Sequence, residues 1–416
     1  MGASDSGLSK IVPGAFLPYL YAMRPLTFIL SVIIFATAQG QKLPPKQAYP
    51  FTVKQIHSGH SLTDPLFYPN WPGQYVNLMA TVTGQSSWQL IDRVIGKSTI
   101  PGSAMAARWT KPPGGTSPDA RHGIGNWELL SITERVPLLY EGGSTQQWYI
   151  TGIQEQRNAL SLFVNNAWTQ GNGGKGAPTL LWTTWVNIDG SNGDFRKMLD
   201  VQGLEWERMQ DHANERRPSG APPVYLIPGH KMMARLYDDV AKGLVPGITS
   251  INQFFSDNIH TNELGAYAIA MIHYACIYNK SPLGLPTKLI PNATATTLIP
   301  SAELAAYLQS MIWEVVTTYD RTGIVGTTSV DEMIVNNGIT VFPTPAHDVL
   351  TISLPAPASQ RMSIRIHDVT GTHVTSSSIP QGASSATINI SPLPPGLYAI
   401  TAASDSTTQT TMVVKR

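Results

Sequence analysis

From Tyr49 to about Thr322 short apolar runs alternate with longer amphipathic ones, and this alternation restricts the fold more than any other feature. "FTVKQI", "KSTIPG", "WELLSIT", "TLLWTTWVNI" and "PPVYLIPG" read as strands, the second ending at Gly102. Between them "YVNLMATVTG", the run from Thr145 to Gly171, "FRKMLDVQGLEWERMQDHANER" and "HKMMARLYDDVAKG" carry helical periodicity. A further helix follows "DNIHTNELG". Another, "PSAELAAYLQSMIWEVVTTYD", has Ser301 as its cap. Strands alternating with helices of this length predict an α/β fold, a parallel sheet covered on both faces. Ligands in such folds sit outside the carboxyl ends of the strands. Ser61, Gly102, Thr133 and Glu134 all fall just after predicted strands, on that edge.

After Tyr319 the pattern changes. "RTGIVGTTSVDEMIVNNG" reads as a linker, and from Ile339 only short strands with Pro and Gly turns follow, as in a small β-sandwich. The 416 residues accommodate this division: a leader over 1–38, an α/β domain over 39–325, a linker over 326–338 and a sandwich over 339–416. A hydrophobic content of 42% supports a sizeable core.

The leader is read from "MRPLTFILSVIIFATAQGQ", which begins at Met23. Arg24 supplies a positive start, Leu26 to Phe35 a short apolar core, and "ATA" at 36–38 a small-residue cleavage site. Residues 1–22 precede an internal Met, so the start is Met1 or Met23. The apolar run is too short for a stable membrane span. An exported protein is predicted. A formal net charge of +1, with charged residues at 13%, excludes the basic field that holds nucleic acid. The single cysteine, Cys276, lies in the apolar run "GAYAIAMIHYACIY" and reads as core, which leaves no internal disulfide and no Cys-based metal site.

The chemistry centres on "KQIHSGHSLTD", Lys54 to Asp64. Ser61 has two readings, the cap of a helix starting after the strand and a nucleophile. A serine hydroxyl needs a base in hydrogen-bond reach and a carboxylate to orient that base. "FFSDNIHTNELG" offers both: Asp257 and His260 are three apart in a loop before a helix. Taken alone, His260 also reads as a surface loop histidine. Acyl transfer needs donors for the oxyanion. The Ser61 N–H at a helix start is one and Gly102, where the backbone can approach closely, is a second. This chemistry needs no metal and no cofactor. A metal reading of Asp257, His260 and Glu263 finds no supporting cluster, and a metal-dependent hydrolase built on Asp64, Asp257 and His260 is the remaining alternative of that kind.

"GHSLTD", a Gly after the second strand, and "DNIH" late in the chain resemble, in order, the motifs of the SGNH, or GDSL, hydrolases. The resemblance spans Phe51 to about Leu285. It implies a flavodoxin-like three-layer α/β/α fold and a secreted serine esterase acting on acyl esters, often on carbohydrate. Ser61 would be the nucleophile, His260 the base, Asp257 its orienter, and Ser61 and Gly102 oxyanion donors. Two positions depart from the family pattern. His60 stands where Asp often precedes the serine, and "SITERVPL" replaces the Asn-bearing third block. Asn165, Asn166, Trp185 and Asn187 are the candidates for a third donor. "TLLWTTWVNID" is similar to an L-Y-E-T-W segment of a bacterial subgroup. A non-catalytic, glycan-binding relative on the same fold is the alternative.

The tail, with "VFPTPAHDVLTI", "DVTGTHV", "LPPGLYAI" and a final "VVKR", resembles the C-terminal sorting domain of the type IX secretion system of Bacteroidota. This implies a secreted or surface-attached protein with the type IX machinery as partner. A carbohydrate-binding sandwich is the other reading of the tail, but Phe342 and Tyr398 are its only aromatics. Of the ten tryptophans, Trp109 in "RWTKPPGGTSPDARHG" is the best candidate for an exposed stacking residue.

Overall fold

Five parallel strands form the sheet of the first region. In chain order they are β1 (Gln55–Gly59), β2 (Ile95–Thr99), β3 (Leu129–Ile132), β4 (Thr179–Thr183) and β5 (Tyr225–Pro228). Their spatial order is β2-β1-β3-β4-β5, so the chain reverses direction across β1, between β2 and β3. The computed structural model describes residues 43–68, 72–139, 146–325, 339–342, 346–354, 357–368, 371–404 and 408–415. The expected leader and linker lie outside the described residues.

Both faces of the sheet are covered. Ile56, Leu130, Leu181 and Leu226 enter one apolar cluster, while Ile95, Leu129, Leu180 and Ile227 enter another. All five residues of β1 are buried. A strand covered on both sides has no solvent-facing side, and Gln55 and His57 are polar yet buried, so alternation is the wrong guide to its start. "FTVKQI" was expected as strand throughout, yet Phe51 and Thr52 form a turn. The second expected strand also stops early: β2 ends at Thr99, and Pro101, lacking an N–H, begins the turn that contains Gly102. "TLLWTTWVNI" leaves the sheet after Thr183, where its neighbour β5 also ends, at Pro228.

Eight α-helices accompany this sheet among the described residues: α1 (Gln74–Thr83), α2 (Ser87–Leu90), α3 (Met105–Thr110), α4 (from Gln146), α5 (Phe195–Arg216), α6 (Gly229–Ala241), α7 (Glu263–Tyr278) and α8 (Ala302–Thr318). Helical dihedrals in α4 stop at Gly171, whose ψ is 156°. The Asp194 carboxylate accepts the Lys197 N–H and starts α5. Ser301 caps α8 through the Leu304 N–H at 3.2 Å. In α7 every residue after Glu263 is buried, Cys276 among them, so it packs as a helix enclosed on all sides.

The second region is antiparallel. Its strands are β6 (Thr340–Phe342), β7 (Val349–Ser353), β8 (Met362–Asp368), β9 (His373–Ile379), β10 (Ser385–Asn389), β11 (Gly396–Ala403) and β12 (Thr408–Lys415). They make two sheets, β10-β7-β6 and β12-β11-β8-β9. Inward residues such as Ile352, Ile364, Ile366 and Ile400 meet in one core. Here alternation is a faithful guide: Met362, Ile364 and Ile366 are buried, with Ser363 and Arg365 exposed between them.

Candidate active site

The carboxyl end of β1 makes a tightly packed turn. A Cβ on Gly59 would stand 2.0 Å from Thr63 Oγ1 and 3.1 Å from Thr133 Cγ2, so the position admits only glycine. His60 follows, fully enclosed. Its Nδ1 accepts the Leu62 N–H at 3.3 Å and its Nε2 donates to the Glu134 carbonyl at 2.9 Å. Two backbone partners thus select one neutral tautomer. Burial pulls the His60 pKa down to about 4. Ser61 caps no helix. The next helical residues are a short 3-10 turn, Asp64–Leu66, whose cap position is Thr63 and receives no side-chain bond. The expectation of a helix starting at Ser61 is corrected accordingly.

Instead the Ser61 hydroxyl lies 2.8 Å from His260 Nε2, and His260 Nδ1 lies 2.7 Å from Asp257 Oδ2. An ionised carboxylate only accepts, so Nδ1 carries the proton and Nε2 is left to accept from Ser61. The Asp257 Oδ1 also takes the N–H groups of Ile259 and His260, at 2.8 and 2.6 Å. Slight burial raises the Asp257 pKa. The His260 and Ile259 N–H groups and the imidazole outweigh it and hold the carboxyl below its ordinary value. This arm of the site faces solvent, with side-chain exposures of 40% for His260 and 51% for Asp257.

The segment expected as the end of the fourth strand braces this arm. Trp185 Nε1 donates to the Ile259 carbonyl at 2.9 Å, and the Ile188 N–H donates to the Asn258 carbonyl at 2.8 Å. The Asn258 amide reaches Asp189 at 2.9 Å. Bonds from Ser191 and Asn258 draw the Asp189 pKa down to about 2. On the far side Asn262 caps α7 by accepting the Leu264 N–H at 3.0 Å.

Gly102 sits in the turn after β2 with φ +64°, a conformation that favours glycine. Among the described residues no hydrogen bond uses the N–H of Gly102 or of Ser61. The side-chain donor candidates are engaged elsewhere: Trp185 on Ile259, Asn166 on the Arg121 carbonyl at 2.9 Å, and Asn187 on Ser191 at 2.9 Å. Asn165 is exposed on α4. The residues after β3, Thr133 and Glu134, are both wholly buried. Thr133 packs its methyl towards Gly59, and Glu134 turns its carboxylate inward onto the Met105 N–H at 3.0 Å. Asp64 pairs with Lys97 at 3.2 Å and accepts from Thr99 at 2.8 Å, not with the Asp257 arm. Among the described residues no group of three or more His, Cys, Asp or Glu is placed to hold a metal ion.

Trp109 is not the open stacking face expected of it. The Arg121 guanidinium lies 4.2 Å from the ring centroid, and Phe163 meets the ring edge-on at 5.0 Å. Among the described residues Trp88, at 64% exposure, is the solvent-facing tryptophan. Reasoning from sequence passed over Arg108, 3% exposed on α3. Its only signal was a basic residue inside the small, apolar run "SAMAARW".

The family model for the secretion system C-terminal sorting domain matches residues 340–416, the antiparallel region. The chain therefore ends in a type IX sorting domain, and the protein is secreted or held at the cell surface. Among the described residues no helix is long and apolar enough to cross a membrane. No curated protein matches the chain. Among solved structures, similarity reaches a DUF3244 family protein with an immunoglobulin-like β-sandwich fold from Bacteroides vulgatus, at 28% identity over 19% of this chain and 85% of that one, TM-score 0.17. An engineered protein aligns at 11% identity over 88% and 93% of the two chains, TM-score 0.21. A Cellulomonas fimi endo-β-1,4-mannanase double mutant aligns at 10% identity over 88% and 94%, TM-score 0.19.

Proposed function

We propose that the protein is an exported serine esterase of the SGNH type, acting by acyl transfer on small acyl esters, with acylated carbohydrate as the substrate class. One observation carries the reading. An unbroken hydrogen-bonded chain runs from the Ser61 hydroxyl through His260 to Asp257, at the carboxyl ends of a parallel sheet. The strand order 2-1-3-4-5 is the flavodoxin-like one, and Ser61 follows β1 at its switch point.

In the first half-reaction His260 Nε2 takes the Ser61 proton as Oγ attacks the ester carbonyl. The imidazolium that forms is stabilised by Asp257, whose lowered pKa keeps it ionised. The uncommitted N–H groups of Ser61 and Gly102 are the oxyanion donors. His260 then returns the proton to the leaving alkoxide, giving the free alcohol and an acyl-Ser61. Water, deprotonated by the same imidazole, releases the carboxylic acid and restores Ser61. Each step conserves protons, and none calls on an external reactant beyond ester and water.

The test is hydrolysis of p-nitrophenyl acetate by the full chain, beside Ser61→Ala, in EDTA. The expected result is turnover indifferent to EDTA and reduced by about a thousandfold or more in Ser61→Ala. Turnover that survives the substitution rejects the mechanism. Absence of turnover in both proteins, joined to glycan binding, selects the non-catalytic alternative.

A further inference from the structure

We propose that Arg108 and Glu134 are positioning residues: a buried clamp that locks the Ser61 turn and the Gly102 turn together, so that their two N–H groups point at one oxyanion. The proposal rests on the serine-esterase reading above.

Glu134 is 0% exposed and reaches both turns. Its carboxylate takes the Met105 N–H, three residues past Gly102, at 3.0 Å from each oxygen, and the Arg135 N–H at 2.6 Å. Its carbonyl takes the Nε2 proton of His60, the residue before Ser61. Arg108 ties the same loops from α3. Its Nε donates to Ser58 Oγ on β1 at 3.2 Å. Its Nη1 donates to the Ser103 carbonyl and hydroxyl at 2.6 and 3.1 Å, and its Nη2 to the Thr133 carbonyl. Gly102 is therefore bracketed. Ser103 is fixed by the guanidinium and Met105 by the carboxylate, while the rigid guanidinium fork spans the ends of β1, β2 and β3.

Stability is a poor reason for such a pair. Removing two charges from water is expensive, and the guanidinium and the carboxylate bond to backbone and hydroxyl groups rather than to each other. Burial pushes the Glu134 pKa up to about 7 against the pull of Arg108 and the backbone N–H groups. What the pair supplies is register. The carbonyls and N–H groups it holds belong to the turns that carry both donors, at the strand end where the third-block Asn is missing. A hole with two backbone donors depends more heavily on their aim than one with a third side-chain donor.

The experiment uses the full chain with p-nitrophenyl acetate and compares Glu134→Gln with the double variant Arg108→Met/Glu134→Gln, which leaves no unpaired buried charge. Thermal melting is read alongside kcat and KM. For Glu134→Gln we expect kcat to fall by about 30-fold or more with KM changed by less than about threefold. The double variant should melt near the parent and remain as slow. Ser61-dependent turnover with kcat retained in either folded variant overturns the clamp and leaves the esterase reading standing. So does a double variant that recovers stability and kcat together. If neither variant folds, the pair is structural and the proposal falls. If the parent shows no Ser61-dependent turnover, the esterase reading and the clamp both fall.

Discussion

The two arms of the site are built in opposite ways. The Ser61 arm rises from β1 through a turn with no room for a Cβ at Gly59 and a wholly enclosed His60 whose two nitrogens are both spoken for. The Asp257–His260 arm lies on the surface, half-exposed, and is fixed from one side by the segment Trp185–Asp189. At Gly59 and His60 the first arm is held by burial, so disturbing those two residues should reach the whole fold. The second is held by a few identifiable hydrogen bonds, so disturbing it should reach catalysis while the fold stands. The difference teaches that two hydrogen-bonded partners, Ser61 and His260, can be anchored by unlike means, one by a tightly packed turn and the other by a few surface hydrogen bonds.

Acid should expose this contrast most strongly. His57, His60 and His273 are buried and their pKa values are drawn down by loss of solvation, to about 4 for His60 and about 3 for His273. Above pH 6.5 each is neutral folded and unfolded, so stability does not depend on them. As pH falls below that, the unfolded chain takes protons the folded chain refuses. Stability should then fall by about 1.4 kcal/mol per pH unit per histidine, most of it between pH 6.5 and 4. Urea unfolding at pH 7.5, 5.5 and 4.5 measures the slope. A flat profile would contradict the enclosed, neutral state of these three histidines.

A smaller effect should separate the second arm from the fold. Trp185→Phe keeps an aromatic ring in the core and removes the N–H donated to the Ile259 carbonyl. The loss of one such bond is worth about 1 kcal/mol, or five- to tenfold in kcat/KM, with the melting temperature moved by only a few degrees. An equal loss in both readouts would show that the second arm is as much part of the core as the first. The smallest effect belongs to Asn258→Ala, which frees Asp189 but leaves the Asn258 carbonyl on Ile188. We expect about a twofold loss in kcat/KM and no change in unfolding. A larger loss would move the principal brace from the indole to the amide.

Much of the outline was legible in the sequence because it depends on periodicity. The run Phe195–Arg216 coincides with α5, and the alternation of Met362, Ile364 and Ile366 marks β8. The strand ends were less legible. Phe51, Thr52, Val53 and Lys54 alternate apolar with polar and covered with exposed, so Phe51 and Thr52 read as strand though they form a turn. Trp185, apolar and following a strand, read as strand though it turns to meet Ile259. At the site, the short spacing of Asp257 and His260 carried their shared loop, and the order of motifs pointed to Ser61. What failed was everything whose cause is long-range. Ser61 read as a helix cap because serine is a good cap, yet no helix begins there. Trp109 read as an open face, but Arg121, twelve residues on, covers it. Arg108 gave only the signal of a basic residue in a small, apolar run, because its partners at Ser58, Ser103 and Thr133 share no local pattern with it.

One distance has a temporal meaning. Ser61 and His260 are 199 residues apart in the chain, and their 2.8 Å contact spans the interval in which β2, β3, β4 and β5 are laid down. Bringing together ends so far apart in the chain costs more conformational entropy than joining neighbouring elements. A chain that has threaded, stalled or been cut anywhere before residue 260 carries a serine with no base beside it. Hydrolysis by this protein would then serve as its own certificate of maturity, since the reactive pair exists only in a molecule whose sheet has been completed.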